Sequence, residues 1–259
     1  MRRTLSLLPA TVLAAGAILF LALPLVGLLA RAPWDRAGEV LLTESTQVAL
    51  RLSLFVSIAA TSCALLLGFP IAWLLARSAI PGRGLLRALV ALPLVLPPVV
   101  AGVGLLAALG RRGLVGAWLA PFGVTLPFTT AGVIVAACFV SLPLLVLSLE
   151  AGLRSLDPRL EEAAASFGAS RWMVFRRVML PQLGPHLAAG LALTWARALG
   201  EFGATITFAG NLPGRTQTLP LAAYEALQSD TGTAILLSLI LVGLSAVVLF
   251  VARDRLQAV

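Results

Sequence analysis

Long stretches of this chain carry no charge, and that limits what it can fold into. Arg3 and Arg31 enclose 27 uncharged residues, Arg51 and Arg77 enclose 25, Arg87 and Arg111 enclose 23, and Asp230 and Arg253 enclose 22. Roughly 20 apolar residues in a helix cross the hydrocarbon core of a bilayer. In lipid a helix satisfies its own backbone donors and acceptors, so such runs settle as spanning helices. Composition agrees, with 59% hydrophobic and 12% charged residues, against about 45–50% and about 25% in soluble domains. Mean hydropathy is +1.00. An ordinary soluble enzyme, a disordered chain and a disulfide scaffold are excluded, which leaves a polytopic all-α membrane protein.

The pattern predicts about six spans, near 7–29, 52–76, 89–109, 131–149, 186–208 and 233–251. The first run is longer than a signal-peptide core of about 7–15 residues, so a retained helix is expected. The third span carries Pro93, Pro97 and Pro98, which remove backbone donors and predict a kinked helix. Between the third and fourth spans, Pro121, Gly123 and Pro127 interrupt an uncharged stretch that carries Trp118, Phe122 and Phe128. It reads as an interfacial segment, not a further span.

Every strong base is Arg, and their placement orients the chain. With the N-terminus inside, twelve Arg residues fall on the cytoplasmic side and six outside, which places both termini in the cytoplasm. The formal net charge of +8 is thereby assigned to topology and not to nucleic acid. Cys63 and Cys138 lie in apolar stretches and read as small packing residues, with no metal site.

The segment 154–185 is the most informative part of the chain. Asp157 followed by Pro158 is a helix start, Glu161 and Glu162 sit near the positive end of its dipole, and three Ala residues propagate it. Gly168 can stop it with a left-handed residue, and Ser170 can cap a second short helix that Pro181 ends. Trp172, Phe175 and Met179 share one face of that second helix. These features read either as a plain interfacial linker or as a small Ala-rich helix that docks in a partner's groove. The spacing of Glu162-Ala163-Ala164, Gly168, Val178 and Leu180-Pro181 resembles the Glu-Ala-Ala loop of ABC importer permeases, with Val178 where Ile is usual.

The fifth span contains Arg197-Ala198-Leu199-Gly200-Glu201-Phe202-Gly203-Ala204. Arg197 and Glu201, four apart, can pair on one helix face. Buried ions in a membrane usually face an interior or a water-filled path. They read as a pair that locks helix packing or as lining of the translocation path. Gly200 and Gly203 would let another helix come close. This run is similar to permeases for tetrahedral oxyanions. The continuation Gly210-Asn211-Leu212-Pro213-Gly214-Arg215-Thr216-Gln217-Thr218, with Leu94-Val95-Leu96-Pro97-Pro98, looks more like the molybdate branch than the sulfate branch.

The resemblance implies an all-α integral membrane protein of ABC importer type I permease architecture. Residues 1–259 would form a single transmembrane permease domain, with a peripheral first helix at 7–29 and core helices over 52–251. It implies a homodimer in a bacterial or archaeal cytoplasmic membrane, two ATP-binding cassette subunits and an extracytoplasmic substrate-binding protein. Coupling to the ATPase would fall to Glu162, Ala163, Ala164, Gly168, Ala169, Ser170, Leu180 and Pro181. Without any Lys the chain has no P-loop, so ATP-Mg is expected on the partner and no cofactor on this chain. Leu219–Leu227 reads as a short external amphipathic helix, and Arg215 and Tyr224 are candidates for contact with the binding protein. Tungstate or sulfate remains open as the anion. A secondary anion transporter is the rival class, with Glu201 and Glu150 as its only candidate buried acids.

Overall fold

A computed structural model describes residues 8–256. The Arg2-Arg3 pair and the expected start of the first span at Leu7 lie outside them. α1 (Leu8–Arg31) carries its apolar side chains on the outside and meets the rest of the chain chiefly through the last helix. A 3-10 turn, Trp34–Arg36, and the short α2 (Ala37–Leu42) lead to α3 (Glu44–Arg77). At 34 residues, α3 is about 50 Å long. Its buried residues recur every three or four positions: Ala49, Ser53, Val56, Ala60, Ala64, Gly68, Ala72 and Leu75. Small side chains at that spacing let a neighbour pack closely where lipid supplies no hydrophobic force between helices.

The expected third span is not one kinked helix. α4 (Arg83–Val95) and α5 (Pro98–Leu109) meet at 117°. Pro97 and Pro98 are the cause: a residue before proline is pushed out of the helical region. Leu96 and Pro97 accordingly have ψ of 134° each, and Pro98 opens the next helix. The following segment forms no long helix. α6 (Gly116–Leu119) and a 3-10 turn, Ala120–Phe122, leave Leu114, Trp118 and Phe122 strongly exposed.

α7 (Thr130–Ser155) is the central helix and lies along α3. The two run in the same direction, because Arg154 near the end of α7 donates to the Leu75 carbonyl near the end of α3. α8 (Pro158–Ser166) and α9 (Arg171–Val174) follow. A π-helical turn, Phe175–Met179, then runs straight into α10 (Leu180–Leu199). Pro181 therefore does not end the second short helix; it sits in the first turn of α10, directly after the π-helical turn. The fifth span begins six residues before the expected His186 and stops at Leu199. A short α11 (Gly203–Phe208) completes it.

α12 (Leu219–Ala226) is the expected short amphipathic helix, and α13 (Thr231–Leu256) is the last helix among the described residues. By length and composition α1, α3, α7 and α13 can each cross a membrane, and the bent α4–α5 pair is a fifth candidate. The α10–α11 segment is the remaining expected span, less apolar than these. α10 carries Pro181, Gln182, Pro185, His186 and Arg197, which lower its apolarity, and it is enclosed by α3, α7 and α13.

Candidate functional site

The loop between α7 and α10 is built by local capping. The Asp157 side chain accepts from the Arg159 N–H at 2.9 Å, and the Ser170 hydroxyl accepts from the Met173 N–H at 3.3 Å. Between them Gly168 takes φ of 79°, a conformation that a Cβ disfavours. Its N–H donates to Ala165 and that of Ala169 to Ala164, which closes the turn.

This geometry divides the residues expected to contact an ATPase. Glu162, Ala163, Gly168 and Ser170 are exposed. Ala164 and Ala169 turn inward and pack on the main core cluster. Leu180 is half-buried and Pro181 exposed, both in the first turn of α10. Phe167, at the turn, is 92% exposed. Glu161 points inward, where its carboxylate accepts from Arg77 at 2.7 Å. Sequence reasoning gave Glu161 only a dipole role, because its partner is 84 residues away.

Behind α8 lies an aromatic cleft of about 710 Å³ lined by Phe69, Trp73, Trp172, Phe175 and the two Glu residues, 161 and 162. The Phe175 ring meets Phe69 and Trp73 edge-on at 6.0 and 6.1 Å and stacks on Trp172 at 5.5 Å. The expected face of the second short helix is thus real, though its members differ. Met179 is buried and Trp172 exposed.

Arg197 and Glu201 form the expected pair, at 2.6 Å, with side chains 33% and 2% exposed. They do not share a helix face, however. Glu201 lies in the break after α10, and its second oxygen accepts from the Ala204 N–H at 2.7 Å. One carboxylate thus neutralises the end of α10 and caps the start of α11. Close approach falls on Gly203 and not on Gly200. A Cβ on Gly203 would lie 2.4 Å from the Pro98 Cβ, whereas Gly200 has only its own helix's Ala196 carbonyl nearby, at 3.6 Å. A Cβ on Gly102 of α5 would similarly lie 2.6 Å from the Thr207 Cβ and 2.8 Å from the Ala204 carbonyl oxygen. The second arm of the bent pair is therefore seated directly on α11.

At the other end of the bundle, Arg215 is exposed, and its carbonyl accepts from the Thr130 hydroxyl. Tyr224 is 46% exposed with its ring 5.0 Å from that of Phe202. The loop joining α11 to α12 is clasped by Glu225, which accepts from Asn211 at 2.8 Å and Gln217 at 2.6 Å. Asp230 caps α13 by accepting from Gly232, Thr233 and the Thr233 hydroxyl, and pairs with Arg36 at 3.2 Å. The Thr233 bonds, with smaller help from Arg36, hold its carboxyl below the usual range.

Residues 64–259 match the family described as "Binding-protein-dependent transport system inner membrane component". The chain belongs to that family. The permease is 48% identical over 233 residues to the molybdenum transport system permease protein ModB of Mycobacterium tuberculosis, covering 89% of this chain and 88% of that protein. It is 45% identical over 194 residues to ModB of Escherichia coli, covering 74% and 85%. To the sulfate transport system permease protein CysT of Escherichia coli it is 38% identical over 236 residues, covering 90% and 85%. Among solved structures, the permease is similar to a bacterial ABC transporter involved in import of the acidic polysaccharide alginate. The TM-score is 0.71 at 20% identity, covering 100% of this chain and 99% of that one. It is also similar to the MetNI methionine ABC transporter, with a TM-score of 0.62 at 18% identity, covering 84% and 99%. At those identities the likeness bears on fold, and the fold is that of a type I ABC importer permease.

Proposed function

We propose that this chain is the membrane permease of an ATP-driven importer of molybdate. It works as a homodimer with two ATP-binding subunits and an extracytoplasmic binding protein, in a bacterial or archaeal inner membrane. The observation that carries the reading is the 48% identity to a molybdenum permease across 89% of this chain. Sulfate is the second reading of the cargo, favoured by the 38% identity to CysT across 90% of the chain.

The Arg distribution supports a cytoplasmic side for α8 and both termini. There Glu162, Ala163, Phe167 and Gly168 are presented to the ATPase, which holds ATP and magnesium. Closure of the ATPase pair displaces α8. Ala164, Ala169 and the Glu161–Arg77 pair pass that displacement to the bundle. Arg215 and Tyr224 face the binding protein on the opposite side. The anion crosses between the two copies. Arg197, one-third exposed and paired with Glu201, supplies weak positive potential that attracts an oxyanion without trapping it.

The test is reconstitution of the permease with its ATPase and binding protein in lipid. ATP hydrolysis is measured with molybdate, tungstate or sulfate on the binding protein, and repeated with Gly168→Pro. Stimulation by molybdate that the variant loses is the expected result. Stimulation by sulfate alone keeps the importer and replaces its cargo. A permease that binds no ATPase refutes the reading and restores the secondary transporter.

A further inference from the structure

Glu150 is a buried acid that the import reading leaves without a task. It lies on α7 and is 4% exposed. A carboxylate withdrawn from water requires a partner. Arg154, one turn further along the same helix, already supplies one at 2.8 Å. Yet a second guanidinium also reaches it. Arg87 donates through Nε to Oε2 at 3.3 Å and through Nη2 to Oε1. Arg87 belongs to α4, the first arm of the bent pair. The second arginine thus joins two elements where one arginine would have neutralised the acid.

What it joins is specific. Arg154 also donates to the Leu75 carbonyl at 3.4 Å, and Arg83 of α4 donates to the Ala76 carbonyl at 3.5 Å. Arg77, the next residue, pairs with Glu161 of α8. Three successive residues at the end of α3 therefore touch α7, α4 and α8 in turn. A continuous polar belt runs from α8 to the foot of α4. The far arm of the pair rests on α11, through Pro98 against Gly203.

We infer that Glu150 is a positioning residue for import: by clamping Arg87 it makes the first arm of the bent pair follow the movement of α8. The inference rests on the importer reading above. The two arginines make it separable from a bland role. If Glu150 only needs neutralising, loss of Arg87 and loss of Arg154 are equivalent. If it ties α4 to α7, Arg87 matters and Arg154 does not, since without Arg154 the acid keeps Arg87 and α7 stays packed along α3.

The experiment compares Glu150→Gln, Arg87→Gln, Arg154→Gln and Arg87→Lys in the full reconstituted complex. ATP hydrolysed and anion imported are both measured, with whichever anion stimulates the unaltered complex. Glu150→Gln and Arg87→Gln are expected to assemble, to keep basal hydrolysis and to lower anion imported per ATP by about fivefold or more. Arg154→Gln is expected to keep the ratio, and Arg87→Lys to recover most of it. An unchanged ratio in Arg87→Gln overturns the inference, as does an equal loss in Arg154→Gln. Should Glu150→Gln fail to assemble, Arg87→Gln decides alone, because Glu150 then retains Arg154. Stimulation of the unaltered complex by sulfate alone changes the cargo and leaves this comparison intact. An unaltered complex that recruits no ATPase refutes the importer reading, and the inference falls with it.

Discussion

Glu201 performs two tasks with one carboxylate, and replacing it separates them. Glu201→Ala strands the Arg197 guanidinium and the Ala204 N–H together. Removing one partner of a buried pair costs about 3–5 kcal/mol. The Arg197 side chain is 33% exposed, so water recovers part of that, and about 3 kcal/mol is the appropriate figure. The lost cap adds about 1 kcal/mol. Glu201→Gln keeps an acceptor for Ala204 and should cost less by about that cap. Arg197→Met, Glu201→Gln and the double variant then form a cycle, read by equilibrium unfolding in bicelles. A coupling energy of about 2–3 kcal/mol is expected, the upper part of the range for groups in one network. Singles that add within about 0.5 kcal/mol refute the claim that this pair holds the break. Import by the double variant then assigns the role. Recovered stability with recovered import means a structural lock, whereas recovered stability without import puts Arg197 on the anion's path.

Gly203→Ala sets a Cβ 2.4 Å from that of Pro98 and should destabilise the permease by about 1–3 kcal/mol. Gly200→Ala, with open space around it, should stay within about 0.5 kcal/mol in the same unfolding assay. Gly168→Ala forces a Cβ into φ of 79°, at about 1–2 kcal/mol. It should lower stimulation of the ATPase more than it lowers the melting temperature. The Asp230 carboxyl is held below its ordinary range, chiefly by Thr233. Its contribution is therefore complete above the unfolded value of about 3.9 and fades as pH falls through the lower folded value. Melting followed down the acid limb should flatten in Asp230→Asn relative to the unaltered permease.

Local chemistry was legible in the sequence, and long-range pairing was not. Asp157-Pro158, Gly168 and Ser170 each specify a helix end by their own side chain or lack of one, and each does so in the structure. The Arg197–Glu201 spacing was also readable, although the break that places Glu201 between two helices was not. Pro97-Pro98 announced a disturbance, but its size depends on where α5 finds a seat, namely on α11. The start of the fifth span was misplaced because Gln182, Pro185 and His186 look like loop. Enclosure by α3, α7 and α13 outweighs that local preference. Nothing near Glu150 in sequence points to Arg87, which lies 63 residues away.

The contacts that hold this bundle fall into two kinds, which respond differently to displacement. Along the α3–α7 seam, Ala60, Ala64, Gly68, Ala137 and Val146 meet at van der Waals distance; a Cβ on Gly68 would lie 3.1 Å from Val146. Dispersion there fades within about 1 Å of separation, so the two helices move together or separate outright. Glu150, Glu161 and Glu201 sit instead where the helical path turns: at the foot of the bent pair, at the α7–α8 corner and in the broken fifth span. Coulombic attraction falls only as the inverse of distance, so an ion pair keeps most of its strength through a shift that would undo close packing. The seam is therefore the stiff frame, and the ion-paired corners are joints that can bend without coming apart.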